Sequence, residues 1–120
     1  MQESSNALAD LASRYITVDS LPWVPTRFPG VHTKTLMQNE SDGMLTALFK
    51  FEPGARLPLH EHVQIEQTFV LEGSLQDHEG NATAGNFVWR PKGNRHDAYS
   101  PDGAIVLSFF LAPNKFIGAE

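Results

Sequence analysis

Two histidines one residue apart, His60 and His62, are followed by Glu66, and a third histidine, His96, opens a later segment of strand-forming residues. In an extended chain, residues two apart face the same side, so His60 and His62 aim their imidazoles at one volume. If the alternation resumes after Val63-Gln64-Ile65, Glu66 faces that volume too. Neutral ring nitrogens and a carboxylate converging on one point suit a divalent transition metal. Fe(II), Mn(II), Ni(II), Zn(II) and Cu(II) all accept such a donor set, and the residue types do not select among them. Buried without an ion, the same groups would each need a polar partner. Four protein ligands on a six-coordinate ion leave two positions, enough for a bidentate oxygen substrate or for substrate plus O2. On tetrahedral Zn(II) they would close the site, which suits structure or sensing instead.

No Ser-His-Asp set, phosphate loop or Lys placed for a Schiff base accompanies these residues, so the metal centre itself is the expected chemistry. The groups expected around it are Gln64, between the ligands and beside the mouth, Thr68, inward by alternation from Glu66, and Ser100, inward from His96. Ser100 could donate to a substrate oxygen or simply fill space. Arg95 is expected to point outward. Phe49, Phe51, Trp89, Phe109 and Phe110 read as core. His32, on the face of its strand opposite Val31, reads as solvent-facing or satisfied in the core rather than ligating, and His78, at a turn, reads as solvated.

These elements resemble the two cupin motifs. The first, G-x5-H-x-H-x3-E-x6-G, is complete in Gly54, His60, His62, Glu66 and Gly73. The second, G-x5-P-x-G-x2-H-x3-N, is present in Gly85, Pro91, Gly93 and His96, with Ser100 in place of the final Asn. The resemblance implies an all-β fold, a double-stranded β-helix or jelly-roll barrel. The phrasing Trp23…Phe28-Pro-Gly-Val31…Lys34-x-Leu36 is further similar to small cupins grouped with the ChrR-type sensor domain and the acetylacetone-cleaving and dihydroxyacetophenone dioxygenases. For the enzymes of that group the resemblance implies non-haem Fe(II), O2 and cleavage of a C–C bond beside carbonyls, with His60, His62 and His96 at their three-histidine site. Glu66 departs from the acetylacetone-cleaving pattern. The sensor resemblance implies zinc with the glutamate kept. An isomerase or lyase using the same metal is a further alternative, and the group implies a homodimer.

The rest of the chain must position these residues. A core of about residues 40–112 carries the motifs within one expected domain, 1–120, preceded by an N-terminal arm, 1–18. Ser4 to Arg14 reads as a short amphipathic helix and Tyr15 to Val18 as a strand that could pair with a second subunit or close over its own barrel. Three prolines between Leu21 and Gly30 predict an extended edge or loop held by Trp23 and Phe28. Strands are expected at Val31 to Met37, with Val31, Thr33, Thr35 and Met37 on one face, and at Met44 to Phe51. Gly73 should end the strand from Glu66, with another starting at Ser74, and further strands follow at Phe87 to Arg90, Asp97 to Tyr99 and Ile105 to Leu111. Gly/Pro/Asp turns separate them.

A net charge of −5 with no Lys/Arg cluster argues against nucleic acid as a partner. The absence of a long apolar run argues against a membrane span. Met1 to Asn6 lacks the basic and apolar regions of a signal peptide, and there is no cysteine, so the cytoplasm is the expected compartment. A small-molecule substrate, and O2 with it, are the expected partners.

Overall fold

The computed structural model describes residues 11–117. Among them the chain forms a curled antiparallel sheet of short strands. In order these are β1 Val24–Pro25, β2 Val31–Asn39, β3 Met44–Phe51, β4 Arg56–Glu61, β5 Glu66–Gln76, β6 Asn81–Thr83, β7 Phe87–Arg90, β8 Arg95–Tyr99, β9 Ala104–Phe110 and β10 Lys115–Phe116. Their spatial order is β1-β2-β3-β9-β5-β8-β4-β10, with β6 and β7 also on β5. Strands β1 to β3 pair with their sequence neighbours, whereas β9 inserts between β3 and β5 and β8 pairs with β4, which shuffles the chain order. The result is the all-β jelly roll that the resemblance to the cupin motifs implies.

Strand β5 joins the two halves of the barrel. Its first part, Glu66 to Gly73, pairs with β9, and its last three residues pair with β6. Gly73 therefore does not end the strand, contrary to expectation; it is the bend at which β5 passes from one half to the other. Its φ is 72°, and a Cβ there would lie 1.9 Å from Gly103 O. Only glycine permits that backbone approach.

Other expectations need correcting at the edges. Tyr15 to Thr17 is not a strand; a 3-10 turn, Val18–Ser20, follows it, and Tyr15 is 92% exposed. On the outer edge of β2, strand β1 pairs only with His32 and Thr33. The helix expected over 4–14 falls largely outside the described residues. In β2 the alternation fails after Thr35, where a bulge shifts the register and leaves both Thr35 and Met37 exposed. On the outer face of β2, Lys34 is buried; its Nζ donates to Val18 O (3.0 Å) and lies 4.8 Å from the centre of the Trp23 ring. The chain before β1 is pinned there by a hydrogen bond and a cation–π contact.

The core lies between the barrel halves: Val31, Phe51, Ala55, Val70, Ala104 and Val106 are buried together, with Phe28, Phe49, Leu57 and Leu75 packed against them. Trp89 and Phe109, expected in the core, are instead on the outer face. They flank Gln67 across the sheet, beside the Phe69–Phe87 pair, and all four aromatic rings are substantially exposed. No helix among the described residues is long and apolar enough to cross a membrane.

Candidate metal centre

Strands β4 and β8 are antiparallel partners, and their register places His60 directly opposite His96. A register shift between Leu57 and His60 lets β4 accommodate Pro58, which has no N–H to offer a ladder. His62 follows the end of β4 and is held by its backbone: its N–H donates to Asn94 O (2.8 Å) and its carbonyl accepts from Gly93 N (2.7 Å). Gly93 has a φ of 90°, so the Pro91-x-Gly93 turn is what brings His62 and His96 side by side. The two rings stack with centroids 4.9 Å apart, and their Nε2 atoms are separated by 2.8 Å.

All three imidazoles are buried, and one ligand atom from each lies within 4.8 Å of the others. The proton positions follow from the partners. His60 Nδ1–H donates to Pro58 O (2.8 Å), and His96 Nδ1–H donates to Asp97 O, with Asp77 Oδ2 3.3 Å away. A carbonyl oxygen only accepts, so in both neutral rings the proton sits on Nδ1 and Nε2 presents a bare lone pair inward. Burial holds all three rings neutral. It lowers the pKa of His62 to about 3 and that of His96 to about 4, with neighbouring positive charge adding to the effect, and lowers that of His60 as well. With the His96 proton on Nδ1, its Nε2 accepts a hydrogen bond from His62 Nε2–H, and a metal ion replacing that proton would find one nitrogen from each ring at hand. The donor set fits a divalent transition metal.

Glu66, the first residue of β5, flanks the three rings, its Oε1 3.2 Å from His62 Nε2. Thr68 Oγ1–H donates to Glu66 Oε2 (2.7 Å) and is in hydrogen-bond contact with Ser108 Oγ (2.8 Å). Burial raises the Glu66 pKa, opposed by the Thr68 bond and the nearby Arg90 charge. Arg90, on β7, is itself buried, with Glu66 Oε1 3.7 Å from its Nε and Asp77 Oδ2 2.8 Å from one terminal nitrogen. Asp77 also faces His96. One buried guanidinium therefore links the carboxylate beside His62 to the carboxylate behind His96.

The site opens onto a cavity of about 460 Å³. His60, His96, Glu66, Arg90, Thr68, Ser108 and Asn114 are among its polar lining; Phe49, Phe51, Val106 and Phe110 are part of its apolar wall. Of the phenylalanines expected as core, Phe51 is a core residue with Phe49 packed on it, and both also line this space with Phe110, whereas Phe109 faces out. Across one side runs the segment Pro113 to Phe116. Strand β10 pairs with β4 so that Phe116 lies opposite His60, their ring centres 5.1 Å apart.

The structure brings together His60, His62 and His96, with Glu66 and Thr68 beside them. Gln64 is elsewhere: it lies on the exposed β4–β5 turn and does not line the cavity. Ser100 is fully buried, but its hydroxyl donates to Ser74 O (2.7 Å), tying β8 to β5 outside the cavity. It is a strand tie rather than a substrate contact. His32 pairs at 3.7 Å with Glu52, and His78 is exposed, both away from the site. Sequence reasoning missed Arg90, Asp77, Ser108 and Asn114. Ser108 did carry a signal, as the polar member of an inward row with Ala104 and Val106.

A family model for the ChrR cupin-like domain matches residues 12–114. Among solved structures, the chain is similar to a candidate acetylacetone dioxygenase of Methylibium petroleiphilum PM1, with a TM-score of 0.82, 23% identity, and 91% of this chain and 83% of that chain covered. It is similar to an acetylacetone dioxygenase from Acinetobacter johnsonii, with a TM-score of 0.79, 21% identity, and coverage of 90% and 80%. A chain in the Rhodobacter sphaeroides complex of SigE with the anti-sigma ChrR gives a TM-score of 0.67 at 20% identity, covering 90% of this chain and 65% of that one. No curated protein matches the sequence.

Proposed function

Because the chain belongs to the ChrR cupin-like domain family, we propose that it is a one-domain, mononuclear metal-dependent cupin acting on a small molecule. His60, His62 and His96 are the metal ligands and Glu66 is a fourth. The favoured reaction is that of a non-haem Fe(II) dioxygenase, cleaving a C–C bond beside the carbonyl of a small dicarbonyl or hydroxy-ketone. The observation that carries this reading is that the lone pairs of His60 and His96 face a cavity large enough for such a molecule and mostly apolar, rather than a sealed interior.

When bound, iron would supply a Lewis acid that favours the enolate of such a substrate, and one-electron chemistry with O2. The protein's own residues prepare the site. Pro58 O and Asp97 O hold His60 and His96 in the tautomer with Nε2 free. The Thr68–Ser108 pair fixes the Glu66 carboxylate, and Arg90 balances its charge. Phe49, Phe51 and Phe110 exclude water and give an apolar substrate body its contact area. Solved structures named as acetylacetone dioxygenases are among those with the same fold, which fits this reading.

A specific observation favours a second reading. Glu66 Oε1 lies 3.2 Å from His62 Nε2, so four donors could enclose a tetrahedral zinc and make a non-catalytic binding or sensing module. Metal analysis of protein prepared without added metal separates the two, followed by oxygen uptake with pentane-2,4-dione. The oxygenase requires uptake matched to substrate loss in the iron form and none in the zinc form. Equal turnover without oxygen would replace it with an isomerase or lyase; stoichiometric zinc and no turnover would leave the binding module.

We also propose a cytoplasmic homodimer. Phe69, Phe87, Trp89 and Phe109 form more contiguous exposed apolar surface than a solvated sheet face ordinarily carries, and a second copy would cover it. Light scattering giving the 13.3 kDa mass of one chain at micromolar concentration would remove this proposal.

A further inference from the structure

Two of the three imidazoles have a backbone carbonyl to receive the Nδ1 proton; His62 does not. Its Nδ1 is buried and makes no hydrogen bond, and the same is true of Asn114 Oδ1. The two are neighbours: the Asn114 amide is within interaction range of the His62 ring, and Asn114 lines the cavity. Each needs what the other can supply. A neutral imidazole that binds a metal through Nε2 carries its proton on Nδ1, and that proton needs an acceptor. Asn114 Oδ1 is a buried acceptor needing a donor.

Asn114 does not belong to the barrel strands that carry the motif. It lies in the segment between β9 and β10, which crosses the cavity and is held by few contacts. Lys115 and Phe116 pair with β4, and Ile117 N–H donates to Leu59 O (3.1 Å). The Phe116 ring packs on Phe28 and His60. At the other end Pro113 abuts the β2–β3 turn, where a Cβ on Gly43 would lie 2.6 Å from Pro113 Cδ. This strap covers one side of the cavity and touches the metal centre at both His60 and His62.

We propose that Asn114 is a positioning residue for the metal centre: its carbonyl oxygen receives the Nδ1 proton of His62 when Nε2 coordinates, so that metal binding fastens the strap over the cavity. The inference rests on the ligand assignment given above. It makes the strap part of the metal site: ordering Asn114 strengthens the metal, and the metal in turn strengthens the strap's pairing with β4. A substrate would thus meet a different opening in the loaded protein from that in the metal-free protein.

The test uses the full chain and Co(II), whose visible spectrum reports its coordination. Affinity is read by chelator competition, and hydrogen exchange is followed at the Ile117 amide. Asn114→Ala should weaken Co(II) by about 10-fold or more, in the range measured for loss of an outer-sphere partner. Asn114→Asp, which keeps an acceptor, should hold Co(II) about as well as the natural residue. In the unaltered protein, Co(II) should slow exchange at Ile117, a measurement that needs no variant to fold. Unchanged affinity in Asn114→Ala, or exchange at Ile117 indifferent to Co(II), overturns the role of Asn114 while leaving the ligand assignment standing. Failure of the unaltered protein to bind one Co(II), or full binding by His62→Ala, overturns the ligand assignment and the inference with it.

Discussion

His60 and His96 sit directly opposite one another on β4 and β8, with ring centroids 4.4 Å apart and planes inclined at 62°. The inclination brings the two Nε2 lone pairs toward one point, while each Nδ1 is engaged by a different carbonyl. Neither ring can turn without losing a buried hydrogen bond, so the pair is set before any ion arrives.

His60→Ala, His62→Ala and His96→Ala should each abolish retention of one divalent metal per chain through gel filtration. Each removes a nitrogen that no other side chain can replace. Glu66→Gln should keep metal at reduced affinity, because water can take the place of a carboxylate oxygen. Metal-to-protein ratios by elemental analysis check this, and a full complement in His62→Ala would sink the site assignment.

Arg90 offers a stability prediction. Its guanidinium lies among Glu66, Asp77 and Glu79, and both its own side chain and that of Asp77 are almost fully buried. Arg90→Met preserves much of the packing but leaves two buried carboxylates without a cation. Breaking a buried pair in this way costs about 3–5 kcal/mol. Urea unfolding of the metal-free protein should show a loss of that order. Asp77→Asn, which keeps an acceptor for His96, should lose less.

The alternation of strand residues made much of this site legible. It set His60 with His62, and Glu66 with Thr68, on one face each, because a period of two fixes the face once the strand is known, while His96 was joined to them by the resemblance to the second cupin motif. The same rule misled at Met37, where a bulge breaks the period, and at Gly73, where a glycine that looks like a stop is a bend. Arg90 and Asp77 were not readable, because their meeting depends on how β5 curls back beside β7. Asn114 was still less so: nothing local says that the segment after β9 returns to β4. Trp89 and Phe109 were assigned to the core by residue type alone, and type does not say which face of a strand is wet.

Two motif glycines should respond differently to alanine. Both have positive φ, 86° at Gly54 and 72° at Gly73, and a side chain in that region costs about 1–2 kcal/mol. At Gly54 an added Cβ meets nothing within 4 Å, so Gly54→Ala should lose about that amount and remain folded. At Gly73 the Cβ would collide with the Gly103 backbone, which cannot yield without separating β5 from β9. Gly73→Ala should fail to give folded protein, or lose several-fold more stability than Gly54→Ala in the same urea titration. Equal losses would show that the bend at Gly73 is not the constraint.

Acid should weaken the metal-free protein earlier than its carboxylates alone would require. An unfolded histidine takes up a proton near pH 6.5, whereas His96 in the folded chain does so only at about 4 and His62 only at about 3, with His60 lowered as well. Between those values the unfolded state binds more protons than the folded one, so stability rises with pH and is lost as pH falls below about 6.5. At about pH 5 the loss approaches about 2 kcal/mol for each of His62 and His96, before solvent screening reduces it. Glu66 acts in the opposite sense. Its raised pKa lets the folded state take a proton first, which offsets part of the loss on acidification. Asp77, held low by the Glu79 backbone N–H and Arg90 against the opposing effect of burial, adds to the loss at more acid pH. Three depressed imidazoles outweigh one raised carboxylate, so the melting temperature of chelator-treated protein should fall steadily from about pH 7 to pH 5. His62→Gln should flatten that slope by roughly one proton. A melting temperature that stays level across this range, or a slope unchanged in His62→Gln, would show that the imidazoles are not buried neutral in the folded chain.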